Sequence, residues 1–363
     1  MIAEAFADIA PGAFRDYHAH LVGLGTGGTG AAVNPELLSW RHPVQRIKCL
    51  VYLSGSGVAD EGQADQQYVK RLLKLIRNSP NPGPMGLLAF DWHYNPDGTI
   101  NIAKSEFYTP NDWTLGLGRD HPDAFFPIVS VHPYREDALE EVDRCAAAGA
   151  KIMKWLPNGQ GMKADEARLD RYYQRLKDHG MALLTHVGEE LAVEAGEDQA
   201  LGNPLLFRKP LDMGVKVIMA HIASLGTNAD IEGDGRQVEN VDLMLRLFDD
   251  PAYEDLLFAD ISATLQSNRL PGPMLKILER PDIHHRLING TDYPLPAINV
   301  VVSTRALVRH GLIEAAERKA LVEIYHYNPL LFDYVVKRRI RHPKTGQRFP
   351  ASMFVENPHL PVR

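Results

Sequence analysis

Two chemical signals overlap in the stretch DYHAHLVGLGTGGTG, at residues 16–30. The first is the pair His18 and His20, two imidazoles separated by one residue. Because residues i and i+2 of a strand face the same side, both can bind a single cation. The second is a set of three glycines that fit the G-x-G-x-x-G string of a dinucleotide-binding turn: Gly23, Gly25 and Gly28. The two signals predict different chemistry, a metal centre or a nucleotide-dependent oxidoreductase.

The surroundings of the glycines do not fit a dinucleotide turn. Such a turn needs an apolar strand before it, a helix at its last glycine, and an acid about 20 positions further on for the ribose hydroxyl. Here the preceding residues are polar, Asn34-Pro35 follows almost at once, and the next predicted strand, RIKCLVYLS, contains no acid. We therefore expect a flexible loop over an active site, and an NAD(P)-dependent oxidoreductase is the disfavoured hypothesis.

Further candidate ligands lie at the ends of predicted strands. His186 follows ALLT, His221 lies near the end of VKVIMAHIA, and Asp292 ends RLINGTD. One such histidine alone is more often a hydrogen-bonded structural residue than a ligand. In a parallel barrel, however, the carboxyl ends of the strands converge on one face, where catalytic sites are built. The sequence therefore predicts that these residues form one metal site with His18 and His20.

The elements that position these residues alternate between apolar and amphipathic segments. Strand candidates lie at residues 13–20, 46–54, 86–92, 125–131, 151–157, 182–187, 215–223, 256–262 and 286–292. A β-α series of this length predicts an α/β fold, a distorted (β/α)8 barrel of TIM type. There are nine strand candidates, but such a barrel has eight strands. We assign the surplus to a hairpin insertion near residues 86–106, where Asn95-Pro96-Asp97-Gly98 is a turn signal.

Composition supports one large domain. The chain has 363 residues, 45% of them hydrophobic and 23% charged, which suits a barrel with an ample core. We predict a barrel over residues 1–336 and a C-terminal extension over residues 337–363 that packs on its surface. The cysteines, Cys49 on a predicted strand and Cys145 on a predicted helix, are expected to be buried, reduced thiols.

Charge and targeting signals restrict the partners. A formal net charge of -7 and a sequence pI near 6.1 give no electrostatic footprint for nucleic acid or an anionic membrane. The N-terminus carries acids where a secretory signal would be basic, and no apolar run is long enough to span a bilayer. We expect a cytoplasmic protein that acts on a small molecule.

In their order and placement, several motifs resemble those of the amidohydrolase superfamily, within it the amidohydrolase-related branch of metal-dependent hydrolases. The likeness runs from about residue 13 to residue 333 and is carried by DYHAH, KWLPN, LTHVGEE, MAHIASLG, DISA, NGTDYP and YNPLLF. The resemblance implies a distorted barrel with one or two divalent metals at its mouth. Superfamily precedent also suggests a homodimer.

The resemblance implies a role for each candidate ligand. His18, His20 and Asp292 resemble the ligands of a first metal, and His186 and His221 resemble those of a second where one is present. Zinc suits such a set of histidines and carboxylates. By analogy with the superfamily, Asp292 is the general base that later gives its proton to the leaving group, and His221 is the other catalytic candidate.

Lys154 bears on the number of metals. It lies near the end of a strand, where two-metal members of the superfamily carry a lysine carboxylated to a carbamate that bridges the ions. An ammonium would repel a cation, whereas a carbamate supplies two anionic oxygens. Many members of the branch bind one metal and lack this lysine. Metal count therefore stays open, as does a plain Lys154 that pairs with Asp292 or with a substrate anion.

Other strand-end residues are candidates for substrate contact. Among them we favour His132 and Arg269, because an arginine in the loop after DISA would suit a carboxylate or phosphate. Asp260 and Ser262 are expected to support a neighbouring histidine and not to act directly. Two hypotheses remain beside the oxidoreductase. Lys154 favours a hydrolase of an ester, lactone, amide or phosphoester; one metal and an unmodified lysine would indicate a decarboxylase or hydratase of a small aromatic or unsaturated acid.

Overall fold

The computed structural model describes residues 1–193 and 195–362, and eight parallel strands form its main sheet. They are β1 Asp16–His20, β2 Met85–Leu88, β3 Phe125–Val129, β4 Ile152–Trp155, β5 Ala182–Thr185, β6 Val217–Met219, β7 Leu257–Asp260 and β8 Leu287–Ile288. Their order in the sheet is their order in the chain, and a bridge between Ala19 and Tyr293 nearly closes the sheet into a barrel. The predicted TIM-type barrel is confirmed.

Helices connect and surround the strands. They are α1 Ile2–Phe6, α2 Pro43–Gly55, α3 Ala64–Arg77, α4 Asn111–Asp120, α5 Ala138–Ala147, α6 Pro157–Gln160, α7 Asp170–Asp178, α8 Arg208–Asp212, α9 Asn240–Phe248, α10 Gly272–Leu278, α11 Thr304–Arg309, α12 Arg318–Tyr327 and α13 Pro329–Arg339. Gly149 and Gly180 end the turns after α5 and α7 with φ of +95° and +64°, conformations that favour glycine. Among the described residues, no helix has the length and apolar character to cross a bilayer.

One predicted strand is wrong, because residues 46–54 lie in the helix α2. Pro43 occupies its first turn, where a missing N–H is tolerated, and a run of this kind cannot be told from a strand by periodicity alone. The candidate in excess of eight is therefore residues 46–54, and not the region near residues 86–106 to which we assigned it. Met85–Leu88 is a strand of the barrel. Cys49 lies on the helix; it and Cys145 are buried and unpaired.

A short hairpin follows β2, inside the predicted insertion at residues 86–106. Tyr94 and Ile100 form an antiparallel bridge, and the Asn95 N–H donates to the Thr99 carbonyl at 2.8 Å across the turn. Nearby, residues 107–108 pair antiparallel with residues 32–33. Both excursions leave the order of the barrel strands unchanged.

An irregularity in β1 sets the direction of its side chains. The register of β1 against β2 shifts between Asp16 and Ala19. A bulge of this kind places an extra residue on one strand and re-aims its side chains. Tyr17 accordingly packs among the apolar side chains inside the barrel, while the adjacent His18 reaches carboxylates at the barrel mouth.

The end of the chain closes the barrel at the side opposite the strand carboxyl ends. Leu360 and Val362 are buried among the inward-facing apolar side chains of the strands, and the Tyr17 hydroxyl donates to the Leu360 carbonyl at 3.1 Å. The predicted boundary between residues 336 and 337 falls inside α13. Residues 337–339 thus continue the last helix, and Leu360 and Val362 contribute to the core.

We predict that Leu360→Ala lowers the free energy of unfolding by about 2–4 kcal/mol, because it leaves a cavity in the barrel interior. Urea titration followed by circular dichroism measures the change. Ile231→Ala, at a side chain 53% exposed, serves as the control and should change the stability by less than about 0.5 kcal/mol. Equal stability of the two variants would contradict a structural role for the C-terminal segment.

Candidate metal centre

The structure brings all six predicted ligands together at the carboxyl ends of the barrel strands. They come from β1, from β4 and from the segments that directly follow β5, β6 and β8: His18, His20, Lys154, His186, His221 and Asp292. His18 and His20 flank Ala19 in β1, so both side chains face the same side of the strand. Convergence of the parallel strands, which the sequence pattern predicts, is therefore what assembles the site.

Three of these side chains converge on one point. The Nε2 atoms of His18 and His20 lie 3.4 Å and 3.1 Å from Oδ1 of Asp292. Within the described residues, His18 Nε2 and Asp292 Oδ1 are buried and make no hydrogen bond of good geometry. Buried polar atoms normally have partners. These two atoms and a ring nitrogen of the half-buried His20 lie within 4.8 Å of one another, an arrangement that fits a divalent cation.

Asp260, at the end of β7, orients this group. Its Oδ2 accepts a hydrogen bond from His18 Nδ1 at 2.8 Å, which leaves the Nε2 lone pair of His18 for a cation. Its Oδ1 accepts from the backbone N–H groups of His221 and Ser262 at 2.9 Å and 3.0 Å. Although burial raises it, the adjacent His18 holds the pKa of the Asp260 carboxyl well below its usual range.

Asp260, His18 and His221 also lie close enough together to hold a cation. Both oxygens of Asp260 are already engaged in hydrogen bonds, however, and the Ser262 hydroxyl adds another. A carboxylate so occupied is better suited to orient ligands than to be one. The structure therefore agrees with the supporting role expected for Asp260 and Ser262.

His221 is held by a short chain of hydrogen bonds. Because the Ser262 hydroxyl donates to Asp260, it accepts from His221 Nδ1–H at 2.8 Å. This tautomer leaves the His221 Nε2 lone pair free, and His221 lines the cavity. His221 and Asp292 have φ of +58° and +62°, a costly conformation for non-glycine residues that is typical of functional sites.

Lys154 and His186 complete the cluster. Lys154 is 1% exposed and lines the cavity. Burial lowers its pKa to about 8, against the opposing effects of Asp260 and Asp292. His186 Nδ1 lies 3.3 Å from Glu190 Oε2. Burial lowers the pKa of His186 to about 4, so its imidazole is neutral at pH 7, the form that binds metals.

The cluster forms the floor of a cavity of about 1180 Å³, its open mouth included. Most of the wall is apolar and comes from α2 and the loops around the barrel mouth: Leu37, Tyr52, Leu53, Val58, Phe107 and Leu156. Arg269 also lines the cavity, as expected. Its Nη1 donates to Ser224 Oγ at 3.0 Å, whereas its buried Nε has no partner among the described residues. This guanidinium can therefore bind an anion.

The structure does not bring His132 to the cavity. Its Nε2 lies 3.0 Å from the Gln160 carbonyl oxygen, to which it donates, and its Nδ1 accepts from the Tyr134 N–H at 3.1 Å. Burial lowers the pKa of His132 to about 3. With both ring nitrogens occupied, it is a core residue and not the substrate contact that its strand-end position indicated.

The glycine-rich loop surrounds an anion of the protein itself. The carboxylate of Asp65, at the start of α3, accepts from the N–H groups of Leu24 and Gly25 at 2.7 Å and 3.2 Å. A Cβ at Gly23 would lie 2.5 Å from Asp65 Oδ2, which explains the glycine there. The amides that a nucleotide phosphate would need are therefore engaged. The loop that we expected to be flexible is instead bonded to α3 and forms part of the cavity wall. Asp65, the acid in the first turn of that helix, is the sequence feature that could have predicted this.

Comparison with known proteins identifies the family. A family model described as Amidohydrolase matches residues 16–329. Among solved structures, a TIM-barrel protein from Bordetella bronchiseptica is 14% identical, with a TM-score of 0.50, and the match covers 86% of this chain and 99% of that one. No curated protein matches the chain.

Two other structures are similar at lower scores. 5-carboxyvanillate decarboxylase from Sphingomonas paucimobilis is 10% identical with a TM-score of 0.48, covering 94% of this chain and 96% of that one. N-isopropylammelide isopropylaminohydrolase from Burkholderia multivorans is 13% identical with a TM-score of 0.41, covering 90% and 72%. The two names describe different reactions.

We predict that Asp260→Asn weakens divalent-metal binding by about 10–100-fold, since an amide no longer fixes the orientation and tautomer of His18. Competition with a chromophoric chelator gives the affinity. Asp230→Asn is the matched control, because Asp230 is a buried carboxylate bound to Arg246 at 2.7 Å outside the cluster. If the two variants bound metal equally well, Asp260 would not orient the site.

We also predict that His132→Gln changes the pH dependence of stability and leaves metal content unchanged. Between the unfolded pKa of about 6.5 and the native pKa of about 3, the unfolded chain takes up a proton that native His132 does not. The free energy of unfolding of the wild type therefore decreases as the pH falls through this window, by about 1.4 kcal/mol per pH unit. Urea titrations between pH 7 and pH 4 measure the slope. Parallel curves for the wild type and variant would contradict this assignment.

Proposed function

The chain belongs to the amidohydrolase family of metal-dependent enzymes, and on that premise we propose that it is a hydrolase. It cleaves an ester, lactone, amide or phosphoester bond of a small molecule. The observation that carries the proposal is the convergence of His18, His20 and Asp292 on one point at the floor of a largely apolar cavity. Lys154 beside this point supports the hydrolase over other reactions of the family.

Each ligand has a proposed place. His18, His20 and Asp292 hold one divalent cation, which we propose to be zinc, and His186 and His221 contribute to a second when Lys154 is carboxylated. A divalent cation supplies Lewis acidity, which acidifies water and polarises the bond under attack. The remaining steps belong to side chains of the protein.

Asp292 is the proposed general base. Burial would raise its pKa, yet His20 and His18 hold the pKa of this carboxyl well below its usual range, so it is ionised and can accept a proton. It takes the proton of the attacking water and returns it to the leaving group. When no second cation is bound, His221, with Nε2 unprotonated and its ring held by Ser262, accepts a hydrogen bond from the water or from a substrate hydroxyl.

The cavity supports a substrate with an apolar body and an anionic group. Apolar walls favour burial of the body, and Arg269 presents an unpaired Nε inside them. Loss of water strengthens the attraction between this guanidinium and a carboxylate or phosphate. The net charge of -7 also favours a small molecule over nucleic acid or a membrane. A cytoplasmic location is part of the same proposal.

Arg269 also favours a second candidate, a mononuclear decarboxylase or hydratase of a small aromatic or unsaturated acid. In that reaction the guanidinium binds the carboxylate that the substrate always carries. Lys154 then stays an unmodified amine and provides a second cationic group on the cavity floor. The state of Lys154 therefore distinguishes the two reactions.

The deciding measurement is metal content together with the state of Lys154. We predict that protein purified with ¹³C-bicarbonate, without chelators or a histidine tag, holds about two equivalents of metal and shows a carbamate ¹³C resonance. Lys154→Met should lose the resonance and hold about one equivalent. Lys151→Met is the matched control, because Lys151 lies just before β4 and does not line the cavity, and it should behave as the wild type.

Each other outcome has a meaning. One equivalent of metal and no carbamate resonance in the wild type would overturn the hydrolase proposal in favour of the decarboxylase or hydratase, and small aromatic acids would be the first substrates to assay. Folded, active protein that binds no metal would overturn the metal centre itself.

A further inference from the structure

The cavity that contains the metal ligands follows the inner side of α2 for two helical turns. Four residues of this helix and its C-terminal end line the cavity at the spacing of one helical face: Cys49, Tyr52, Leu53 and Ser56. Seven residues advance about 10 Å along a helix axis. The cavity therefore extends well beyond the space that a single reacting bond occupies.

The wall along this stretch is mostly aliphatic. It belongs to the connection between β1 and α3, and we call six of its side chains the aliphatic wall: Val22, Leu24, Val33, Leu37, Leu53 and Val58. Two polar side chains of the same cavity are engaged within the protein. The Ser56 hydroxyl donates to the Tyr52 carbonyl at 2.7 Å. Glu106 pairs with Lys48 at 2.5 Å. An apolar chain against this wall gains from burial without breaking these interactions.

Arg269, on the segment after β7, lies beside the metal ligands. Its Nη1 donates to Ser224 Oγ at 3.0 Å, and the Ser224 N–H donates to the His221 carbonyl at 3.0 Å. Burial and, second to it, the positive charge of Arg269 lower the pKa of His221. An anionic group that binds Arg269 therefore lies close to the reacting bond.

The same segment offers a second donor. Gln266 also lines the cavity, and its buried Nε2 has no partner among the described residues. Backbone hydrogen bonds fix this segment. The Arg269 N–H donates to the Gln266 carbonyl at 2.9 Å, and the Ser267 N–H donates to the Val301 carbonyl at 3.1 Å. A guanidinium and an amide held in this way match the two oxygens of a carboxylate.

We propose that the substrate joins an aliphatic acyl chain, through an amide or ester bond, to a short carboxylic acid. The carboxylate binds Arg269 and Gln266, the acyl carbon lies at the metal ligands, and the chain lies against the aliphatic wall. This inference rests on the hydrolase proposed above and adds the class of its substrate.

The reaction consumes one molecule of water. The water oxygen forms a bond to the acyl carbon, and the bond from that carbon to the amide nitrogen or ester oxygen breaks. Asp292 takes one proton of the water and passes it to the departing nitrogen or oxygen. The products are a fatty acid and a short amino or hydroxy acid, so no oxidant, reductant or second organic substrate is needed.

Non-hydrolysable analogues test the chain subsite by binding alone. In 4-oxoalkanoates a methylene replaces the amide nitrogen of an N-acylglycine, so the series from 4-oxopentanoate to 4-oxoundecanoate spans acetyl to octanoyl chains. By calorimetry on the metal-loaded protein, we expect the affinity to rise about two- to fourfold per added methylene. An affinity independent of chain length would overturn the proposal.

Two variants on α2 locate the chain. Leu53→Ser should lower the affinity for 4-oxoundecanoate by about tenfold and leave that for 4-oxopentanoate unchanged. Val51→Ser is the matched control, because Val51 is 43% exposed on the outer side of the same helix, and it should bind every analogue as the wild type does. Equal losses in both variants would overturn the placement of the chain along α2.

An aromatic analogue tests the preference for a chain. 4-oxo-4-phenylbutanoate has the same number of acyl carbons as 4-oxodecanoate, and we expect it to bind more weakly, because a ring cannot follow the length of the aliphatic wall. Tighter binding of the phenyl compound would assign the wall to an aromatic substrate and overturn the proposal.

Arg269→Gln tests the position of the carboxylate. Because all the analogues share this group, the variant should weaken the binding of each by the same factor, at least about tenfold. A loss that grew with chain length would overturn the binding of the carboxylate at Arg269.

Hydrolysis separates this inference from the function on which it rests. Release of glycine from N-octanoylglycine should exceed release from N-acetylglycine by at least about tenfold in kcat/KM. Hydrolysis of acyl esters without any dependence on chain length would support the hydrolase and overturn this inference. Graded binding of the analogues, without hydrolysis of N-octanoylglycine or O-octanoylglycolate, would support the ligand class and overturn the hydrolase.

Discussion

The carboxylate of Asp260 is the interaction on which the site depends. It lies wholly within the protein and accepts hydrogen bonds from His18 on β1, from the His221 backbone after β6, and from Ser262. Removing a carboxylate from water is costly unless its oxygens are bonded. The bonds that offset this cost also fix His18 directly and His221 directly and through Ser262, so stability of the buried anion and geometry of the metal centre have the same origin.

The barrel interior sets how closely these groups can approach. At Gly290, a Cβ would lie 2.6 Å from the His18 Cβ, so only glycine lets the segment after β8 pass beside β1. Lys337, in α13, stabilises the same segment. Its Nζ donates to the Gly290 carbonyl and to Asp333, each at 2.6 Å. The last helix of the chain thus positions Asp292 relative to His18, although it contributes no ligand.

Much of the site was predictable because it follows from periodicity and strand convergence. H-x-H on one strand and polar residues at three further strand ends suffice to place His18, His20, His186, His221 and Asp292 together. The rest depends on local bonding that sequence does not encode at short range. His132 has the same strand-end position as the ligands, yet Gln160 and Tyr134 occupy its nitrogens. The glycine string has the spacing of a phosphate loop, yet Asp65, some forty residues later in the chain, fills it.

The incorrect prediction of a strand within α2 also has a physical cause. A helix that borders one core usually shows apolar residues on one side only, and this contrast distinguishes it from a strand. On α2 the inner side faces the cavity through Tyr52 and Leu53, while the outer side exposes Val44, Ile47 and Val51. Apolar residues on both sides remove the contrast. The run at residues 46–54 therefore has the composition of a buried strand although it forms a helix.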